Sequence, residues 1–209
     1  KNTAWPRTPV DHFILSQLEA KQVTPNPQAN KEKLIRRAYF DLIGLPPTPA
    51  EIEAFLKDNA VDAYERLIDR LLASDHHGER WARHWLDVVR YAESGGYEFD
   101  KDRPGAHPYR DFVIKALNQD MPFDQFVHWQ VAGDLLPAAD LAARRRQRVA
   151  TTFLVLGNIN LEEQDKVQLR MDAVDEQLDT IGKGVLGQTL GCARCHDHKF
   201  DPIPTRDYY

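Results

Sequence analysis

The chain has 209 residues, of which 42% are hydrophobic, and a formal net charge of −5 at pH 7. This composition is sufficient for one sizeable domain or two small ones. Phosphate binding relies on clustered lysine and arginine, and the one dense basic run, RRRQR at 144–148, is short, so the sequence argues against a nucleic-acid partner. No run of about eighteen apolar residues occurs, so no membrane span is predicted.

The N-terminal part has the apolar spacing of surface helices. The segment 9–22 places four apolar residues on one face, which we expect to cover a core: Val10, Phe13, Ile14 and Leu18. The segment 30–44 repeats this spacing with Leu34, Ile35, Tyr39 and Leu42, and Gly44 ends it. Both segments are predicted to be amphipathic helices.

The start of the next helix has its own sequence signal. Thr48 suits the N-cap position, Pro49 suits the first helical position, and Glu51 follows three residues after the cap. A threonine and a glutamate at this spacing can bond to each other's backbone N–H. The pattern therefore predicts a capping box that begins a helix at Pro49.

The segments 62–74 and 78–94 also have helical spacing. In the second, Trp81, Trp85 and either Val88 or Val89 are predicted to anchor the core. Residues 95–108 then mix glycine, proline and charge with neither periodicity, which is typical of an ordered loop or a lid.

Further helices are predicted over 109–120, 122–136 and 143–157, followed by an irregular stretch at 157–163. No strand-like alternation extends beyond a few residues, so the fold class is predicted to be all-α: an irregular multi-helix domain with long ordered loops. The last predicted helix, about 165–190, becomes rich in glycine, which suggests that a large group approaches it closely.

That helix is expected to end at the chain's only two cysteines. Cys192, Cys195 and His196 form C-x-x-C-H, the attachment signature of c-type haem. Two thiols three residues apart can add to the two vinyl groups of the porphyrin, and the adjacent imidazole can then serve as the proximal iron ligand. The sequence therefore predicts covalently attached haem c.

Two other functions fit a pair of cysteines. A thioredoxin-like disulfide would need a strand followed by a helix, and no strand precedes Cys192. A zinc site could combine Cys192 and Cys195 with two histidines such as His198, although no second C-x-x-C or clear H-x-x-x-H supplies the other half.

Longer segments carry a family resemblance. They run from PVDHFILSQLEAKQ through YERLIDRLLASDHHGERWARHWLDVVRYAESGGYEFDKDRP and MPFDQFVHWQVAGDLLP to LGQTLGCARCHDHKFDPIPTRDYY. Through these segments the chain resembles the DUF1549 family, also called PSCyt2, a planctomycete-type cytochrome c-like domain. The resemblance covers nearly the whole sequence, so residues 1–209 are interpreted as a single domain of this family and as a fragment of a larger protein.

The resemblance implies a place and partners for this domain. Family members are typically large exported proteins in which the domain lies beside a DUF1553 domain and often near another cytochrome c-like module. It therefore implies a periplasmic or extracellular location and electron exchange with other haem or redox domains. It assigns Cys192 and Cys195 as thioether positions and His196 as the axial ligand.

The sequence does not determine the identity of the sixth iron ligand. His198 follows His196 by two residues and cannot easily reach the opposite face of the same haem. His84, between two tryptophans, and Met171, on the predicted haem-bearing helix, are the upstream candidates for the distal ligand. An empty sixth position is the third possibility.

Charged and polar residues around the motif are expected to support the haem. Arg194 and Lys199 can neutralise its propionates. His198 is expected either to bond to a propionate or to support the iron ligands by contacting them.

The sequence thus predicts a domain that passes single electrons through haem c and has no catalytic residue of its own. One alternative is a haem oxidoreductase, for example peroxidase-like, with an open sixth position and a substrate pocket at 95–108. The other is an interaction module stabilised by a non-haem metal or a disulfide.

Overall fold

A computed structural model describes residues 4–96, 100–158, 160 and 162–209. The α-helices in this part of the chain are α1 (Pro9–Ala20), α2 (Lys31–Leu42), α3 (Pro49–Lys57), α4 (Ala63–Leu72), α5 (Asp75–Val88), α6 (His107–Asn118), α7 (Phe123–Ala132), α8 (Leu141–Ala150) and α9 (Lys166–Ile181). The only β-type pairing among the described residues is an isolated bridge between Ser94 and Asp102. The predicted all-α class is confirmed.

Local signals set several of the helix ends. The backbone N–H of Thr48 donates to Glu51 Oε2 at 2.8 Å, and the Glu51 N–H donates to Thr48 Oγ1 at 3.3 Å. This is the capping box that the sequence predicts, and α3 begins at Pro49 as expected. A similar box between Thr8 and Asp11, which was not predicted from the sequence, begins α1.

The helices enclose two apolar clusters. The first joins α2, α3 and α4 around Ile35, Tyr39, Phe55 and Leu67. The predicted core positions Ile35 and Tyr39 are therefore confirmed. This cluster is the smaller of the two.

The second cluster is larger and lies between α5, α6, α7, α8 and the 3₁₀ turn Thr151–Val155. Trp85 packs within it and donates its indole N–H to Tyr109 Oη at 3.0 Å and to Gln130 Oε1 at 2.9 Å. Gln130 is 1% exposed, and its polar atoms are satisfied: Oε1 accepts from Trp85 and Tyr109, and Nε2 donates to the Phe126 carbonyl at 3.1 Å.

Two predictions of core faces are wrong. The expected anchor Trp81 is 44% exposed, whereas Val89, one of the two valines predicted as alternatives, is fully buried, which confirms that part of the prediction. In α1, Val10, Phe13 and Ile14 are exposed, and the buried residue is Leu15. Helical spacing identifies an apolar face in each case, but a face is buried only where another element packs on it.

The C-terminal region differs most from its prediction. The α-helix ends at Ile181, a π-helical turn covers Gly182–Leu186, and Gly187 with φ 65° breaks the chain direction. The two cysteines lie beyond this break, around a separate 3₁₀ turn, Leu190–Arg194, and not at the end of a long helix. Left-handed φ explains the glycine at 187.

The other glycines of this region accommodate the chain itself. A Cβ at Gly182 would lie 2.6 Å from the Leu190 side chain, and one at Gly191 would lie 3.2 Å from Asp179. The close approach that the glycine-rich pattern indicated is therefore made by neighbouring parts of this chain.

Hydrogen bonds hold the predicted loop at 95–108 in place on both sides of residues 97–99, which lie outside the described part of the chain. The Gly95 N–H donates to the Lys101 carbonyl at 2.7 Å, and the Arg103 N–H donates to the Glu93 carbonyl at 2.7 Å. The Arg103 guanidinium donates to the carbonyls of Leu156 and Gly157 at 2.8 and 2.9 Å. The loop ends at α6, which begins at His107, two residues before the predicted start.

None of the described helices is both long and apolar enough to cross a lipid bilayer.

Candidate haem-attachment site

The C-x-x-C-H motif lies on the surface of the C-terminal turn. The N–H groups of Cys195 and His196 both point to the Cys192 carbonyl, each at 3.5 Å, which gives a tight but weakly bonded turn. Both cysteines are free thiols and both are exposed. The turn therefore presents two accessible thiols three residues apart.

The residues between the cysteines hold this turn against α9. Ala193 is fully buried, and Arg194 donates to Asp172 Oδ1 at 2.7 Å and to Asp175 Oδ2 at 3.0 Å. Asp172 and Asp175 are one turn apart on α9, so a single guanidinium bonds to both carboxylates. With Ala193 and Arg194 facing α9, the two cysteines that flank them are left exposed.

The charges of this contact shift each other's pKa values. The hydrogen bond from Arg194 lowers the pKa of the Asp172 carboxyl, and the same bond raises the pKa of Arg194. Tyr208 donates its hydroxyl to Asp175, and burial followed by this carboxylate raises the pKa of Tyr208. Asp175 therefore accepts hydrogen bonds both from Arg194 of the motif turn and from Tyr208.

The orientation of His196 is suited to a metal ligand. Its Nδ1 lies 2.9 Å from the Asp197 carbonyl oxygen, and its side chain is exposed. A carbonyl oxygen only accepts, so Nδ1 carries the hydrogen in this contact and Nε2 carries the free lone pair. A backbone carbonyl that fixes the tautomer in this way is a common companion of a metal-bound imidazole.

The side chain of His198 is buried next to the motif, unlike that of His196. Its side chain is 5% exposed, and its Nδ1 accepts the backbone N–H of Asp201 at 2.9 Å and that of Phe200 at 3.3 Å. Its Nε2 lies 3.4 Å from Thr189 Oγ1. The Asp201 carboxylate is also 3.2 Å from Nδ1, but the two N–H donors require that nitrogen to be an acceptor. His198 therefore connects the segment after the motif to the segment before it.

A short loop closes behind the motif. The His198 N–H donates to the Ile203 carbonyl at 2.9 Å, and the Thr205 N–H donates to Asp197 Oδ1 at 2.9 Å. These bonds fold 197–205 back on itself, which fixes the backbone carbonyl that His196 uses.

The two side chains predicted to neutralise the haem propionates differ in the contacts that they already make. Arg194 already bonds to two carboxylates, as described above. Lys199 is exposed and its Nζ lies 5.1 Å from the centre of the Phe200 ring. Lys199 is therefore the more available cation of the two.

The distal-ligand candidates lie on two different helices. His84 is on α5, is exposed, and lies against the exposed Trp81 ring, at 5.4 Å between ring centres, whereas Trp85 packs in the core. Met171 is half-buried on α9 in an apolar groove that also contains Val174, Leu178 and Tyr209. Exposure does not decide between these two candidates, and the identity of the distal ligand stays a prediction.

No group of three or more histidine, cysteine, aspartate or glutamate side chains within the described ranges is arranged to hold a metal ion.

Sequence reasoning missed the anchor on α9. Asp172 and Asp175 are spaced i, i+3 on a predicted helix, which places both on one face, but the sequence does not show that an arginine from another segment meets them. Tyr208 was missed for the same reason.

The comparisons with known proteins identify the family. The family model PSCyt2, described as a protein of unknown function (DUF1549), matches residues 9–209. The helical fold and the C-terminal motif turn described above thus belong to a member of the DUF1549 family. No curated protein and no solved structure matches the chain.

The anchor on α9 gives a first testable prediction. Replacing Arg194 with Gln removes both charged hydrogen bonds, so we expect the amides of Cys195 and His196 to exchange with solvent about fivefold faster or more. Hydrogen exchange measured by NMR checks this. Arg206→Gln is the matched control, because Arg206 is exposed and its carboxylate partner is its sequence neighbour Asp207. Equal exchange in all three proteins would contradict the anchoring role.

The same contact predicts a pH dependence. Because Arg194 lowers the pKa of Asp172 in the folded chain, the unfolded chain takes up this proton first as the pH falls. The stabilisation is complete above about pH 4, the ordinary range of an aspartate, and is lost as the pH falls through the folded-state pKa. In Arg194→Gln, carboxyl NMR titration should show a higher pKa for Asp172.

Proposed function

We propose that this domain attaches one haem c through Cys192 and Cys195, uses His196 as the proximal iron ligand, and transfers single electrons. One observation supports this proposal above the others: the Asp197 carbonyl accepts from His196 Nδ1, which leaves the lone pair on Nε2, and the exposed His196 adjoins two free, exposed thiols in the sequence. This is the donor set that covalent haem requires. The residues present therefore fit the group.

The chain's own residues have separable roles in this proposal. Cys192 and Cys195 supply the thioether sulfurs, and His196 supplies the axial nitrogen. Asp197 fixes the imidazole tautomer, and Arg194 with its two carboxylates holds the turn in place. When bound, the haem supplies a one-electron couple whose potential depends on its ligands and its burial.

The exposure of the motif bears on electron exchange. Cys192, Cys195 and His196 are all exposed, as is Phe200 in the loop behind them, at 83%. A group attached here lies within reach of a partner surface, which favours exchange with other haem or redox domains over chemistry in a closed pocket. We therefore keep electron transfer ahead of a haem oxidoreductase.

An exported location follows from the same proposal. Haem attachment to paired thiols takes place in this class of proteins by an extracytoplasmic machinery, and the domain is accordingly proposed to be periplasmic or extracellular. A neighbouring DUF1553 domain is a proposed partner on the strength of the family resemblance.

The attachment can be tested by removing one sulfur at a time. Produced in a bacterial periplasm with a cytochrome c maturation system, the wild-type chain should give the pyridine haemochrome spectrum of a two-thioether haem. Cys192→Ser and Cys195→Ser should each shift that spectrum toward a single-thioether haem, and the double variant should lose haem in denaturing electrophoresis. A wild-type chain purified without haem, while a known cytochrome c matures in the same cells, would refute the proposal.

The sixth ligand can be identified by the spin state of the iron. If the iron has a distal protein ligand, the wild-type spectrum is low-spin, and removal of that ligand should make it high-spin and able to bind carbon monoxide. His84→Ala and Met171→Ala distinguish the two candidates, with His128→Ala, an exposed histidine on α7, as the control. A high-spin wild type would instead favour the oxidoreductase alternative and direct attention to 95–108.

A further inference from the structure

The structure contains a groove that none of the residues of the proposed haem site lines. It lies between α6, α7 and α8 and has a volume of about 580 Å³. Small-molecule sites in proteins typically have volumes of about 300 to 1,000 Å³. We call it the α6–α8 groove, and its size suits an organic molecule with one or two rings.

The floor of the α6–α8 groove is apolar and aromatic. Phe112 and Ala116 of α6 are buried beneath it, and Met121, Trp129 and Val149 are partly exposed along it. The Trp129 ring stacks on Phe112, with 6.2 Å between ring centres and 21° between planes. Trp129 is therefore held in position with part of its ring open to the groove, where a flat apolar group can pack on it.

The rim of the groove is positively charged. Lys115 projects from α6, and Arg145 and Arg146 project from α8, all three of them exposed. None of these three cations has a carboxylate partner among the residues that the structure describes. The rim carboxylate, Asp111, already accepts hydrogen bonds from Arg110 at 3.3 and 3.4 Å.

Three cations lie next to the aromatic floor of this groove. The protein has a net charge of −5, yet three unpaired cations border one aromatic groove. A cation beside an apolar floor favours a ligand that has a ring at one end and a negative charge at the other. The amide groups of Gln119 and Gln125, which also line the groove, can donate further hydrogen bonds to such a charge.

We propose that the α6–α8 groove binds a small aromatic anion, such as an aromatic carboxylate. In this arrangement the ring packs against Trp129 and Met121, and the anionic group meets Arg145, Arg146 and Lys115. The inference is independent of the haem proposal, because no residue of the groove belongs to the C-terminal turn.

Two naphthalene compounds test this proposal. Isothermal titration calorimetry should show that 2-naphthoate binds and that the uncharged 2-naphthylmethanol binds more weakly, although the ring is the same. Added salt should weaken the binding of 2-naphthoate, because the rim charges are exposed. The NMR signal of the Trp129 indole N–H should shift on addition of 2-naphthoate.

A pair of double variants separates the rim charges from the net charge. Arg145→Gln with Arg146→Gln should weaken 2-naphthoate binding about fivefold, the effect of losing two exposed ion pairs. Arg83→Gln with Arg148→Gln makes the same change in net charge at exposed positions outside the groove and should leave the affinity unchanged. Equal affinity for the two compounds, equal effects of the two double variants, or no binding of 2-naphthoate at millimolar concentration would each overturn the proposal.

Discussion

The contact between Arg194 and the two carboxylates of α9 is the interaction on which the candidate site depends. The C-terminal turn has weak internal bonds, with N–H to carbonyl distances of 3.4 to 3.5 Å at Cys192, Cys195 and His196. A turn of this kind does not hold its own conformation, so its position comes from what it is attached to. Arg194 lies between the cysteines, and its pairing with Asp172 and Asp175 fixes both of them relative to α9.

The helix α9 in turn is fixed to the larger apolar cluster. Arg90, at the end of α5, pairs with Glu176 of α9, and Gly157 packs against the same glutamate. Arg90 adopts a left-handed backbone with φ 56°, which is uncommon for a residue with a side chain. These three carboxylates of α9 thus have two partners: Glu176 pairs with Arg90, and Asp172 and Asp175 pair with Arg194 of the motif turn.

The sequence predicted where helices form better than it predicted which of their faces are buried. The capping box at Thr48 and the all-α class followed from local patterns, which depend on neighbouring residues alone. The exposure of Trp81 and of the α1 face, and the break at Gly187, depend on which elements pack together, and apolar spacing does not contain that information. In the site, spacing identified Cys192, Cys195 and His196, whereas the roles of Asp172 and Asp175 required the fold.

Trypsin provides the most direct test of covalent haem, because Arg194 separates the two cysteines. Cleavage after Lys183, Arg194 and Lys199 places Cys192 in the peptide 184–194 and Cys195 in the peptide 195–199. In the matured protein, mass spectrometry after complete reduction should find these two peptides joined through one porphyrin, because thioether bonds resist thiol reductants. Two separate, unmodified peptides after reduction would contradict the account, and peptides joined only before reduction would show a disulfide in place of haem.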